Sequence, residues 1–483
     1  MAYSFRDYAP NQIFLLPPNP QEWLPQDHLA YHILDVVEEL DMTHFLEAYS
    51  SDGRGAPAFS PRMLTAILLY GWCRHIYSSR KLEAICLEDV GARVIAAGHK
   101  PDHRSINHFR LRHGQALSDL FTQSVKLCQR AGIVSLVQVA IDGTKIKANA
   151  SKRKAMSYKR MGEEEARLLA EIDAYFKRAQ QEDAEEDLHF ADKQGTPDIQ
   201  AEIEHRKSRL AKIREAKASL QAEAIAAAAA KQEARAIKAA ASSTPLTGTK
   251  PEGDVAPDPK AQRCFTDPQS RIMKGASGAF LQAYNAQASV DAEHQIIVAC
   301  ALTQEANDYG QLIPLVEQTL AQTGATPEVV LADPGYYSAA NVAVMQSLDV
   351  AVLIPPDKER CGTPTDPAPP LSADALSALS PIEQMRHRVS TAEGRAVYSR
   401  RKVIVEPVFG QLKGSAGNPG YLGFLRRGLI KCTQEWHWLC AKHNILKYIR
   451  FQQAQRTPLS QTKRTRSSGW AHSIVFSTVA MEL

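Results

Sequence analysis

The feature that most constrains the fold is an apolar strand pattern that ends in an aspartate and occurs twice. The first copy runs from about residue 133 to Asp142, where Gly143 is predicted to turn the backbone; the second runs from Val329 to Asp333 and a Pro-Gly pair. Short β-branched and apolar runs bounded by such breaks predict buried strands. Open α/β sheets bind their ligands beyond the carboxyl ends of such strands. The pattern therefore predicts an α/β sheet with two carboxylates at one edge.

A third carboxylate, Glu406, lies in an apolar segment that is predicted to be helical, although Pro407 must open or kink that helix. Each residue alone is more often a turn or surface carboxylate, since Asp-Gly is a common turn pair. Three carboxylates on rigid elements can hold two Mg²⁺ ions through hard oxygen ligands. Two such ions stabilise the attacking and leaving oxygens of an in-line phosphoryl displacement. The joint occurrence of the three residues favours catalysis.

Several runs resemble the signatures of bacterial insertion-sequence DDE transposases, and in particular the insertion-sequence eleven-eighty-two group. The runs are Ile141-Asp142-Gly143-Thr144-Lys145, Ala155-Met156-Ser157-Tyr158, Tyr284-Asn285-Ala286-Gln287, 333–337 and 401–413. The resemblance implies a ribonuclease-H-like catalytic domain in which Asp142, Asp333 and Glu406 are the catalytic and metal-binding residues. It also implies two Mg²⁺ (or Mn²⁺) ions, cleavage of the element ends, and joining of those ends to target DNA.

A related signature, Tyr-x₂-Arg-x₃-Glu-x₆-Lys, is matched only in part. Tyr398-x₂-Arg401 and Glu406-x₆-Lys413 fit it, but four residues separate Arg401 from Glu406, and Lys402 occupies the expected arginine position. Seven residues also place Glu406 and Lys413 on one face of a helix. The roles of Tyr398 and Arg401 stay open on this pattern.

The chain of 483 residues is too long for one ordinary core, so two or three domains are expected. The predicted parts are an N-terminal helical domain (1–130), a catalytic domain (131–150 and 261–450), a helical insertion (151–241), a flexible linker (242–260) and a basic disordered tail (451–483). Residues 280–290 and 295–301 predict a β-hairpin that continues the sheet. The insertion, rich in Ala, Glu and Lys, is predicted to be either a solvated spacer or a DNA-clamping or dimerising element.

Contacts to double-stranded DNA are predicted at both ends of the chain. Residues 101–113 predict a helix-turn-helix-like element that presents Arg104, Arg110 and Arg112 to DNA, or else a packing helix with a solvated face. The basic residues near the carboxylates are also candidates for DNA contact: Lys145, Arg401, Lys402 and Lys413. From Arg426 onward, ten Lys and Arg face two Glu, 10 − 2 = +8, against +4 for the whole chain, which suits contact with the DNA backbone. A homodimer or higher oligomer on DNA is expected.

Two other functions fit part of the pattern. A metal-dependent nuclease of the same fold would cut DNA without joining it, and a non-catalytic DNA-binding protein would use only the N-terminal region.

The 8 scattered cysteines form no CxxC pair, so a zinc ribbon is not expected. Four possible zinc ligands extend too far along one predicted helix to share an ion: Cys432, His437, Cys440 and His443. The N-terminus has no signal-peptide layout and no run spans a membrane, so a cytoplasmic, nucleoid-associated bacterial protein is expected.

Overall fold

The computed structural model describes residues 19–49, 57–186, 199–242, 255–275, 278–357, 367–413 and 421–456. Its helices are α1 (Leu29–Glu39), α2 (Thr43–Leu46), α3 (Pro61–Cys73), α4 (Ser79–Glu88), α5 (Val90–Ile95), α6 (His103–Arg112), α7 (Gly114–Arg130), α8 (Tyr158–Glu186), α9 (Ile199–Ser242), α10 (Leu312–Thr323), α11 (Ala339–Ser347), α12 (Ala373–Ser377), α13 (Pro381–Ser390), α14 (Ala392–Leu412) and α15 (Leu429–Arg456). Its strands are β1 (Gln138–Lys147), β2 (Ala155–Ser157), β3 (Gln262–Cys264), β4 (Arg271–Lys274), β5 (Phe280–Asp291), β6 (Ile297–Thr303), β7 (Val329–Ala332) and β8 (Ala351–Leu353). This mixture of helices and sheet confirms the α/β class.

The main sheet is mixed, with β1 at its centre. β5 pairs antiparallel with β1 on one side, and β7 and then β8 pair parallel on the other. The far edge of β5 carries β4 at one end and β6 at the other. Nearly every residue of β5 is buried, including consecutive ones, so both faces of this strand are covered by other elements.

The first strand differs from the sequence-based prediction. It begins at Gln138 rather than near residue 133, and it continues through Asp142 and Gly143 to Lys147. The parallel pairing with β7 nevertheless ends at Ile141, opposite Ala332. Asp142 therefore lies where the parallel neighbour ends, although its own strand goes on against β5. The Asp-Gly pair suggested a turn, but pairing with β5 keeps the glycine extended.

The N-terminal helices and the sheet share one hydrophobic core. Among the described residues, buried side chains of the main sheet, of α1 to α7, and of α10, α11, α13, α14 and α15 form a single continuous cluster. α7 packs along α15, which also contacts β6, and Trp72 of α3 meets Trp438 of α15 edge-to-face with ring centroids 6.0 Å apart. The N-terminal helices are therefore packed onto the part of the chain that holds the main sheet through α15.

The insertion leaves the main body through a small ribbon formed by β2 and β3. α8 and α9 then pack against each other around a separate apolar cluster that includes Leu168 and Ile213. Glu165 of α8 forms ion pairs with Arg214 and Lys217 of α9, at 2.8 and 2.7 Å. The amide of Gln221 donates to the Tyr158 hydroxyl at the start of α8, so residues 224–242 of α9 run past that point.

Two predicted segments fall largely outside the described residues. Of the linker, residues 243–254 lie outside them, and of the tail, residues 457–483. Residues 451–456, placed in the tail by the sequence, form the last turns of α15. No helix in the part of the chain that the structure describes is long and apolar enough to cross a membrane.

Candidate active site

Asp142 and Asp333 lie side by side at the carboxyl edge of the parallel strands. The register pairs Ile141 with Ala332, so the two aspartates follow matched positions on adjacent strands, which lie roughly 4.8 Å apart. Asp333 begins a short 3₁₀ turn, and its carboxylate accepts a hydrogen bond from the Gly335 N–H at 2.9 Å. Asp142 and Asp333, which were predicted to lie close together, therefore follow paired positions on adjacent strands.

Both carboxyl groups are harder to ionise than usual. Burial raises the pKa of Asp142 to about 6; the Arg401 guanidinium opposes this rise and the neighbouring Asp333 adds to it. Burial also raises the pKa of Asp333; the Gly335 N–H lowers it, and the nearby carboxylate of Asp308 raises it further. Two carboxylates that disfavour each other's charge make a site at which added positive charge is stabilising.

That positive charge is supplied in this structure by α14 and the residue after it. The Arg401 Nη1 lies 3.0 Å from Asp142 Oδ2, and the Arg401 side chain is only 11% exposed. Lys413 donates from Nζ to the Thr144 hydroxyl on β1. Lys413 is the C-cap of α14 and has extended backbone geometry, φ −137° and ψ 154°. The predicted shared helical face of Glu406 and Lys413 is therefore not formed.

Pro407 lies inside α14, five residues before the last residue of the helix. Proline lacks the N–H that would bond to the carbonyl four residues earlier, here Val403. Gln295, at the turn between β5 and β6, replaces that donor: its Nε2 lies 3.0 Å from the Val403 oxygen. The helix continues because a side chain from the sheet satisfies the freed carbonyl.

Glu406 does not join the two aspartates. It is exposed on α14, and because it lies five positions after Arg401 it is turned about 140° around the helix axis from the side that meets Asp142. Among the described residues, no group of three or more His, Cys, Asp or Glu side chains is arranged to hold a metal ion. The predicted set of three carboxylates is therefore not assembled in this structure.

A different acidic residue, Asp308, lies close enough to Asp333 to raise its pKa, and no sequence motif marks it. Its Oδ1 accepts from Asn285 Nδ2 and Gln287 Nε2, both at 2.6 Å, and lies 3.3 Å from Lys145 Nζ. Asn285 and Gln287 alternate along β5 and so share one face of the sheet. These two residues belong to a run that carries the family resemblance, but nothing in the sequence pairs that run with Asp308.

Gly143 makes this arrangement possible. A Cβ at this position would lie 2.4 Å from Gln287 Nε2, 2.7 Å from Asp308 Oδ1 and 3.1 Å from Asn285 Oδ1. Glycine is needed here for close approach of polar side chains to β1, rather than for a turn.

Two buried atoms beside these groups, Arg401 Nε and Asn285 Oδ1, have no hydrogen-bond partner in the described part of the chain. An unpartnered donor and an unpartnered acceptor suit a polar ligand.

The predicted DNA-contacting residues fall into four groups by their surroundings. Arg104 and Lys402 are exposed. Arg110 points inward, over the Trp72 ring at 5.6 Å and with its Nη1 donating to the Tyr77 carbonyl at 3.2 Å, so this residue packs α6 instead of presenting charge. Arg112 is exposed but donates to a backbone carbonyl and lies over the Tyr49 ring. The others bind within the site, namely Lys145, Arg401 and Lys413.

Two family models match the chain. One, described as a transposase domain (DUF772), matches residues 18–112, which hold α1 to α6. The other, described as a transposase DDE domain, matches residues 359–449, which include Glu406 but neither Asp142 nor Asp333. Comparison with curated proteins and with solved structures yields no match.

Both matched models describe transposase domains, and the second of them is of the DDE type. The two matched domains indicate a DNA transposase of an insertion sequence or similar mobile element, and this class implies DNA as a binding partner.

Proposed function

We propose that this protein cuts the ends of an insertion sequence and joins them to target DNA by phosphoryl transfer. The observation that carries the proposal is the placement of Asp142 and Asp333 on adjacent strands, under a helix that belongs to the matched DDE domain. The mixed sheet with carboxylates at its parallel edge supports a ribonuclease-H-like fold. The resemblance to the eleven-eighty-two group supports the same function.

The chain's own residues have distinct roles in this proposal. Arg401 and Lys413, which contact Asp142 and Thr144 in this structure, would lie beside the reacting phosphate and neutralise its charge. Asp308 holds Lys145 in place through their 3.3 Å contact. Lys402 and Arg104, being exposed, would contact the DNA backbone farther away.

The implied divalent cations fit the site only in part. Asp142 and Asp333 would supply hard oxygen ligands of the type that Mg²⁺ prefers, and the pKa of each, raised by burial and by a neighbouring carboxylate, supports a role for added positive charge there. Such ions, when bound, activate water and stabilise charge on phosphate oxygens. Glu406, the third ligand implied by the resemblance, would join only if α14 rotates or shifts, with Arg401 leaving Asp142.

The proposal is tested with a duplex that carries an element end, in Mg²⁺ and then in EDTA. Asp142→Asn is expected to abolish nicking while leaving end binding nearly intact, because the amide keeps the shape and loses the charge. Asp35→Asn, an exposed α1 substitution of the same kind, is the matched control. Nicking by Asp142→Asn near the wild-type rate would refute the assignment.

Two further experiments test the role of Glu406 and the joining of the cut strand. Glu406→Gln is expected to abolish nicking as well; full activity in this variant would remove Glu406 from the catalytic set and leave Asp142 and Asp333. Joining of the nicked strand to a second duplex distinguishes a transposase from a nuclease of the same fold, which would nick but leave no joined product.

A further inference from the structure

A small cavity lies between the N-terminal helices and the end of α14. Its volume is about 160 Å³, well above the roughly 10–15 Å³ that one water molecule needs. Residues from α1, α3, α14 and α15 line it, and none of those lining residues is an Asp or a Glu. Basic residues make up a large part of the lining: Arg74, Lys442, Lys447 and Arg450.

Lys442 is the unusual member of this lining. It is only 4% exposed, and in the described part of the chain its ammonium has no hydrogen bond or ion pair. Burial lowers the pKa of Lys442; Cys73 opposes this and Arg450 adds to it. An unpaired ammonium in this position lowers the stability of the folded protein. This loss of stability is explained if the lysine binds a negatively charged ligand.

The surrounding residues leave that charge uncompensated. Arg74 is already paired with Asp89, and among the described residues Lys447 donates only to the neutral side-chain oxygen of Gln295, at 2.9 Å. Arg450 is exposed and has no partner among the described residues. Burial lowers the pKa of the adjacent His443 to about 3, so that ring is neutral. Three cations, Lys442, Lys447 and Arg450, therefore face the cavity without a carboxylate.

We propose that this cavity binds a phosphate group, through Lys442, Lys447 and Arg450. A tetrahedral anion is the ligand that converging ammonium and guanidinium groups without a carboxylate recognise. The phosphate belongs to a DNA backbone that passes the end of α14, because Gln411 and Leu412 line the cavity and the next residue, Lys413, reaches Thr144 beside Asp142. This choice of source rests on the proposed function; the site itself does not.

The test uses the full chain and two probes, inorganic phosphate and a non-specific duplex. The wild type is expected to melt at a higher temperature in phosphate than in chloride at equal ionic strength. Lys442→Met is expected to melt at the same temperature in both salts. The same substitution should weaken duplex binding roughly ten-fold, the value of one charge-assisted hydrogen bond. It should also lower the slope of log affinity against log salt by roughly 0.9, one phosphate contact.

Lys431→Met is the matched control, because Lys431 is exposed on the same helix and its loss changes the net charge equally. Without phosphate, Lys442→Met should melt no lower than the wild type, since it removes a buried unpaired charge. Arg450→Gln is the second variant, because an exposed residue can be changed without loss of folding; it too should reduce the phosphate effect.

The outcomes distinguish a DNA phosphate from a free phosphate, and they test the phosphate site separately from the proposed transposase function. Loss of both phosphate and duplex effects in Lys442→Met, but not in Lys431→Met, supports a DNA phosphate. A phosphate effect without any change in duplex affinity keeps the site and assigns it to a free phosphate. Equal behaviour of Lys442→Met and Lys431→Met with both probes overturns the site. Phosphate binding by a chain that never nicks DNA would remove only the proposed function.

Discussion

Asp142→Asn should change the pH dependence of stability in a defined direction. The pKa of Asp142 is raised from 3.8 to about 6, a difference of about 2, and each pKa unit is equivalent to about 1.36 kcal/mol. The folded protein therefore binds more protons than the unfolded chain between about pH 4 and pH 6. Its stability falls as the pH rises through that window, by roughly 3 kcal/mol from this group.

The asparagine variant lacks this titration. At pH 4, where Asp142 is protonated, variant and wild type should have similar unfolding free energies; at pH 7 the variant should be more stable by roughly 3 kcal/mol. Urea unfolding in EDTA, followed by tryptophan fluorescence between pH 4 and pH 8, measures the difference. Mg²⁺ at pH 7 should stabilise the wild type and not the variant.

Asp89 provides a control of opposite sign. Burial opposes ionisation there, but hydrogen bonds from the Ala92 N–H, Arg74 and Tyr70 prevail and lower the pKa of Asp89. Asp89→Asn should therefore be destabilising at pH 7, and the effect should shrink as the pH falls. A stability difference between Asp142→Asn and wild type that does not vary between pH 4 and pH 7 would refute the electrostatic account of the paired aspartates.

Two further predictions concern the groups around the aspartates. Gly143→Ala should destabilise the protein by about 1–3 kcal/mol, measured by urea unfolding, because the new Cβ meets Gln287 and Asp308 below normal contact distance; an unchanged midpoint would show that these side chains can yield. Asp308→Asn should reduce nicking roughly ten-fold with end binding unchanged, because the neutral amide no longer holds Lys145; wild-type nicking would assign Asp308 a purely structural role.

The aspartate pair was predictable from the sequence because its signal is local. An apolar run followed by Asp and by residues that end a strand predicts a buried strand with the aspartate at the edge of the sheet. Asp333, followed by a Pro-Gly pair, fits that description. Asp142 fits it less well, because β1 continues for five more residues. The strand end was misplaced because glycine promotes turns locally, whereas Gly143 is kept in the strand by pairing with β5.

The rest of the site depends on contacts between segments distant in sequence. Asp308 lies in a connection before α10, and only its hydrogen bonds to Asn285 and Gln287 on β5 bring it to the aspartates. The helical character of the segment around Glu406 was predictable, but the side of α14 that meets the sheet was not. That side is fixed by Arg401 and the buried Val405, and it leaves Glu406 in solvent.

Gln295 offers a reason why α14 could change position without large cost. Its side chain donates to the carbonyl freed by Pro407 and accepts from Lys447, and its backbone oxygen faces His443 at 2.9 Å. α14 is thus linked to α15 at this point by neutral acceptors, which exchange partners more cheaply than buried ion pairs. A phosphate bound by Lys447 would draw that lysine from Gln295, and a cation at Asp142 would release Arg401. Both changes loosen the same helix, the one that carries Glu406, so DNA and metal ions together would favour the movement that brings the third carboxylate to the site.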